Sequence, residues 1–146
     1  MSQENVELMM RFYRPFMSDG ASVVRDGSPS TYRDALVRVV DPGCEIALAT
    51  GVIDDGASYR GLDGLIAALA DWMAPWATYR VQVIETFDLG DRVLILLREF
   101  GRVTADGEEI SHECAHVWTF RSGKIIRWET SHVNRAEALK AVGLEE

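Results

Sequence analysis

The chain reads as an α+β domain, a curved antiparallel sheet wrapped around N-terminal helices, and three observations predict it. Apolar residues recur three and four apart in the first half; strictly alternating segments fill the second half; and two-residue turn signals join those segments. There is no internal repeat and no break in composition, so residues 1–146 form a single domain, long enough to bury a core without metal or disulfide staples.

The elements follow in order. Asn5 is placed to cap a first helix whose stripe is Val6, Met9, Met10, Tyr13, Phe16 and Met17, with Pro15 weakening the last turn. Ala21 to Ser30, rich in Gly, Ser and Pro, reads as a loop. A second helix opens near Ser28-Pro29 or Thr31 and runs through Val40 to Asp41-Pro42-Gly43. Cys44 to Ala49 makes a short strand, and a Gly- and Asp-rich loop leads to Tyr59-Arg60-Gly61. A third helix then buries Leu62, Leu65, Ile66, Leu69, Trp72, Met73 and Trp76 and ends at Pro75. Tyr79–Phe87, Arg92–Val103, Glu108–Arg121 and Lys124–Ser131 form a meander, turning at Gly90-Asp91, Asp106-Gly107 and Ser122-Gly123. Ala136–Val142 closes the chain as a short helix.

The pattern also marks a pocket wall. Ile110, His112, Cys114, His116, Trp118 and Phe120 share one strand face, and Ile126, Trp128, Thr130 and His132 continue it on the returning strand. Two indoles and two imidazoles on a covered face are the makings of a small-molecule site. His116, mid-strand between Cys114 and Trp118, is the leading acid–base or hydrogen-bond candidate, since burial there favours a neutral ring. The alternative for it is a core histidine satisfied by a neighbour. His132 sits at the strand end as a rim acid or an exposed residue; His112 is placed at the periphery. Trp118, Trp128, Trp72 and Trp76 make up the aromatic floor, Trp72 being weighed toward plain core packing, and Phe12, Cys114 and Phe100 join them as ligand-binding candidates.

Other chemistries lack their signatures. A net charge of −8 argues against nucleic acid or an anionic membrane as partners. Three scattered histidines without a helical His pair or a Cys pair give no metal site, and no nucleophile elbow, phosphate loop or dinucleotide fingerprint implies a cofactor. Cys44 and Cys114 read as buried thiols. With no signal-like leader and no apolar run of spanning length, a cytoplasmic protein is expected.

Asn5-Val6-Glu7 with Arg11-Phe12-Tyr13, then Asp41-Pro42, Tyr59-Arg60-Gly61, Gly90-Asp91-Arg92-Val93, and Ala115-His116-Val117-Trp118-Thr119 running into Gly123-Lys124-Ile125 carry a resemblance. The chain resembles the nuclear transport factor 2-like superfamily, and within it the SnoaL-like, polyketide cyclase-like branch, with Ala21 to Ser30 as an insertion. The resemblance implies a cone with a cavity at its open end and a homodimer through the outer sheet face. It also implies a cofactor-independent isomerase, cyclase or dehydratase, or a binder of small hydrophobic molecules; other branches are association modules with no small-molecule substrate. Against the ketosteroid isomerase pattern, the strand acid falls on His116, the helical tyrosine on Phe12 with Tyr13 one step away, and the base near Ala47, so the donor position is filled and the base is missing. For an epoxide hydrolase set, Arg98 and Glu99 lie near the relevant strand, but the sequence is read as lacking the inward acids. A dehydratase-like His and Tyr arrangement has His112, His116, His132, Tyr13 and Tyr59 to draw on. The residues expected to carry chemistry are therefore His116, His132 and Tyr13.

Overall fold

A computed structural model describes residues 2–14, 16–17, 36–49, 59–131 and 134–144, the side chains of 2, 48, 49 and 131 excepted. Its elements are α1 (Ser2–Tyr13), β1 (Val40–Ala49), β2 (Tyr59–Arg60), α2 (Gly61–Met73), β3 (Thr78–Asp88), β4 (Arg92–Arg102), β5 (Ile110–Arg121), β6 (Lys124–Ser131) and α3 (Arg135–Ala141). The strands form one six-stranded sheet in the order β2-β1-β6-β5-β4-β3, open at both ends. All neighbours pair antiparallel except β1 and β6, which are parallel. The expected α+β class and meander are present. Ala21 to Ser30, most of the second helix and His132 lie outside the described residues.

Several boundaries differ from expectation for physical reasons. Asn5 is no cap: α1 starts at Ser2, and Asn5 sits inside it, buried. The core stripe of α1 is Met9, Phe12 and Tyr13, because the turn is 3.6 residues, and Phe16 just beyond it is buried as well; Met17 is 37% exposed. The chain is already extended at Val40, where β1 begins; the ladder with β6 breaks between Val40 and Glu45, so Asp41-Pro42-Gly43 is an irregularity within a strand and not a helix stop.

Gly61 opens α2 with a φ of +71°, and a Cβ there would come within 2.9 Å of the Pro42 carbonyl oxygen, so this helix start needs glycine. Leu65, Ala68, Leu69 and Met73 then lay its apolar face against the sheet. The β5–β6 turn is built by Ser122 and Gly123, both with positive φ. A register shift opposite Thr119 and Phe120 pairs Phe120 with Ile125 and leaves Ile126 as the extra residue, so Ile125 enters the core in place of Ile126.

The sheet buries both faces unequally. The concave face carries the main core, with α1 and α2 on it. On the convex face Leu94, Leu96 and Ala115 meet Ala138 and Leu139 of α3, capped by the Asn134 side chain accepting from the Glu137 amide at 2.9 Å. That explains five successive buried residues, Val93–Leu97, in a strand that otherwise alternates. Away from α3 this face carries ion pairs: Arg98 with Glu113 at 3.4 Å, and Arg127 with Glu45 at 2.9 Å and Glu129 at 3.1 Å, all within the chain.

Candidate functional site

Between α1, α2 and the concave sheet lies an open cavity. Its empty space is about 570 Å³ with the open solvent at the mouth included. Its walls are mostly apolar and aromatic, from Phe12, Tyr13 and Phe16 on one side to Trp72, Tyr79 and Trp128 on others. Two hydrogen-bonded clusters break that surface.

The first joins α1 to β5. The Tyr13 hydroxyl lies 2.5 Å from His116 Nδ1 and accepts from Trp118 Nε1 at 2.8 Å. An indole N–H only donates, so the phenol oxygen receives it. The phenol–imidazole bond then runs with the tautomer: a ring proton on Nε2 makes Nδ1 the acceptor of the phenol proton, and one on Nδ1 makes the phenol oxygen accept a second time. Burial, the largest cause, holds the Tyr13 phenol well above its ordinary titration range, so it keeps its proton. Sequence spacing puts this together: position 13 falls on the inner stripe of α1, and residues 116 and 118 are successive inward positions of β5. The Tyr13 and His116 rings lie nearly parallel at 5.7 Å.

The second cluster joins β3, β4 and β5. Tyr79 donates to Glu99 Oε2, and His112 Nε2 lies 2.9 Å from Glu99 Oε1. Trp72 hydrogen-bonds the Tyr79 phenol in turn. Glu99 is 3% exposed and lines the cavity, so the expectation that no inward acid exists is corrected. Val93, Ile95, Leu97 and Glu99 are alternate residues of one strand, and the inward face of β4 runs through all four. His112 is cross-strand to Glu99 and outside the cavity lining. Its hydrogen bond to Glu99 is the main cause that raises its titration above the usual imidazole value. Burial raises Tyr79 well above its ordinary range, with the Glu99 charge adding to it.

The other candidates distribute as follows. Phe12, Tyr13, Trp72, Cys114, His116 and Trp128 all line the cavity. Trp118 lies one layer behind, fully buried, stacked on Trp128 with centroids 4.8 Å apart and planes 6° apart. Trp76 packs over Gly101, where a Cβ would meet its ring at 2.5 Å. Phe100 is outside the lining, with the Arg80 guanidinium 3.8 Å over its ring. Thr130 lines the wall, as its place beside Trp128 implied. Cys44 and Cys114 are buried and unbridged; burial pushes the Cys44 thiol up to about 11, which keeps it protonated. Among the described residues no three His, Cys, Asp or Glu side chains gather as a metal site, and no helix is long and apolar enough to cross a membrane.

Comparison with known proteins agrees with this architecture. The profile of the SnoaL-like domain matches residues 29–128. A candidate SnoaL-like polyketide cyclase from Jannaschia sp. CCS1 superposes with a TM-score of 0.67 at 18% identity, covering 88% of this chain and 85% of that one. TerC, co-crystallised with polyporic acid, superposes at 0.62 with 20% identity, covering 88% and 91%. A nuclear transport factor 2-like protein of unknown function from Burkholderia pseudomallei K96243 gives 0.64 at 17% identity, covering 95% and 97%. At such identities the likeness shows the fold alone. No curated protein matches the chain.

Proposed function

We propose that this chain, which belongs to the SnoaL-like domain family, binds a small, largely apolar, oxygenated molecule in its cavity, with the Tyr13–His116 pair as the polar contact. One observation carries the reading: a hydrogen-bonded phenol–imidazole pair is set into an open cavity whose walls, Glu99 and Thr130 apart, are otherwise aromatic and aliphatic. A core histidine needs only a partner; this one has its partner and also stands on a cavity wall. TerC, which shares the fold, was crystallised with polyporic acid, and that supports a small organic ligand for a cone of this shape.

A second reading adds catalysis without a cofactor: isomerisation, cyclisation or dehydration, with His116 as the acid–base or hydrogen-bond group and Tyr13 holding its Nδ1. The pair favours it because Tyr13 fixes the orientation of the ring, as a catalytic imidazole requires.

A thermal-shift panel of flat ketones, terpenoids, fatty acids and steroids on wild type and His116→Ala tests both. A ligand that binds the folded state raises the midpoint, and the expected result is a compound that does so for wild type only. Such a compound, incubated and analysed for product, then separates binder from enzyme. No shift with any compound overturns the reading and moves the protein to an association role.

A further inference from the structure

Thr130 belongs to neither hydrogen-bonded cluster, yet it stands beside one of them. In the β5–β6 ladder it is the direct partner of His116, and both residues line the cavity. Side chains directly opposite on one face of an antiparallel pair have Cβ atoms about 4.5–5.5 Å apart, so the hydroxyl and the imidazole are neighbours on the wall. The register brings this about: Trp128 and Thr130 are successive inward positions of β6, and they meet Trp118 and His116 in turn.

Accessibility singles Thr130 out. Of the described lining residues all but Trp72 and Thr130 are buried, and Trp72 bonds the Tyr79 phenol. The Tyr13 phenol is held by His116 and Trp118, and the Tyr79 phenol and the Glu99 carboxylate hold each other. The Thr130 side chain is half-buried, and its hydroxyl makes no hydrogen bond among the described residues. A hydroxyl carries one donor and two acceptor sites and rotates to suit its partner. An oxygen of a small molecule, with two lone pairs, can be met from two sides at once. A hydroxyl and an imidazole set side by side by the backbone, the imidazole oriented by Tyr13, are placed to take one such oxygen between them.

We propose that Thr130 is a specificity residue of this cavity: its hydroxyl and the His116 ring together hold one carbonyl or hydroxyl oxygen on the edge of an apolar ligand. The inference rests on the reading of the cavity as a small-molecule site and adds a second polar contact to it.

Three probes of one skeleton test it: tetralin, which has no oxygen, 1-tetralone and 1-tetralol. Dissociation constants are measured by calorimetry on wild type, on Thr130→Val, which swaps the hydroxyl for a methyl, and on Thr130→Ser, which keeps the hydroxyl. Wild type binds the ketone or the alcohol tighter than tetralin. In Thr130→Val that preference falls about fivefold, the size of one hydrogen bond, while tetralin binds as before. In Thr130→Ser the preference survives. On a His116→Ala background the loss caused by Thr130→Val shrinks, because two groups that share a partner are not additive. The inference is overturned, with the cavity still a binding site, by any of four results: no preference in wild type, a preference untouched by Thr130→Val, one lost equally in Thr130→Ser, or a Thr130→Val loss as large without His116 as with it. No binding of any probe to wild type overturns both. Should Thr130→Val not fold, Thr130→Ala is compared with Thr130→Ser in the same way.

Discussion

The cavity is held by two chains of hydrogen bonds built on one plan and ending differently. In each, a tryptophan is bonded to a buried tyrosine, and the tyrosine passes the chain to a residue on the sheet: Trp118–Tyr13–His116 in one, Trp72–Tyr79–Glu99 in the other. The first ends inside the protein on an imidazole that is 8% exposed. The second ends on a carboxylate and continues to His112, whose side chain is 35% exposed, so a buried charge is tied to solvent. The difference teaches where each cluster is sensitive. A neutral chain responds to lost packing and lost donors, whereas a chain with a carboxylate responds to charge and pH as well.

The largest effect expected is packing at the root of the neutral chain. Trp118 is fully buried and stacks on Trp128, so Trp118→Ala costs about 3–5 kcal/mol in urea unfolding. A loss below about 1 kcal/mol would show that the cavity collapses to fill the gap. Next comes the charged chain. Glu99→Ala strips the acceptor from Tyr79 and the counter-charge from His112, at about 3 kcal/mol, while Glu99→Gln, which keeps the shape and an acceptor, costs less. Equal losses for the two would mean that the charge is irrelevant and the clusters are alike after all. Smaller again, Tyr13→Phe leaves the Trp118 N–H and His116 Nδ1 without the phenol, at about 1–3 kcal/mol.

These two chains also differ in how legible they are in the sequence. His116 and Trp118 stand out because alternation on β5 places rare residue types on one face, and Tyr13 lies on a helical stripe that spacing alone marks. Glu99 does not stand out, because Arg98-Glu99 after five apolar residues looks like the strand surfacing into solvent. Only the cover of α3 over Leu94 and Leu96 explains why Val93–Leu97 are all buried, and with that known the alternation puts Glu99 inward. The bulge that brings in Ile125 for Ile126 is a register event, which a period-two pattern cannot register in advance. The position of His112 near the hairpin end marks it as peripheral, and it stands outside the cavity lining; its pairing with Glu99 is a matter of register that the strand's own pattern does not carry.

The smallest effect is the sharpest test of the comparison. Glu99 raises the His112 titration above the usual imidazole value by hydrogen bond first and by charge after, while burial and the Arg98 guanidinium pull it down. A group whose folded value is raised contributes stability that is full below its unfolded value, about 6.5, and is lost as pH climbs through the folded value. The stability difference between wild type and His112→Gln, measured by urea unfolding from about pH 5.5 to 9, should therefore shrink as pH rises. The Tyr13 phenol is also raised, but from an ordinary value of 10.0, so its contribution is full throughout that window. The difference between wild type and Tyr13→Phe should stay flat across it. If the His112→Gln difference grows with pH, Glu99 is not the charged partner of His112; if the Tyr13→Phe difference falls in step with it, the two chains are coupled, and a proton at one end of the cavity is felt at the other.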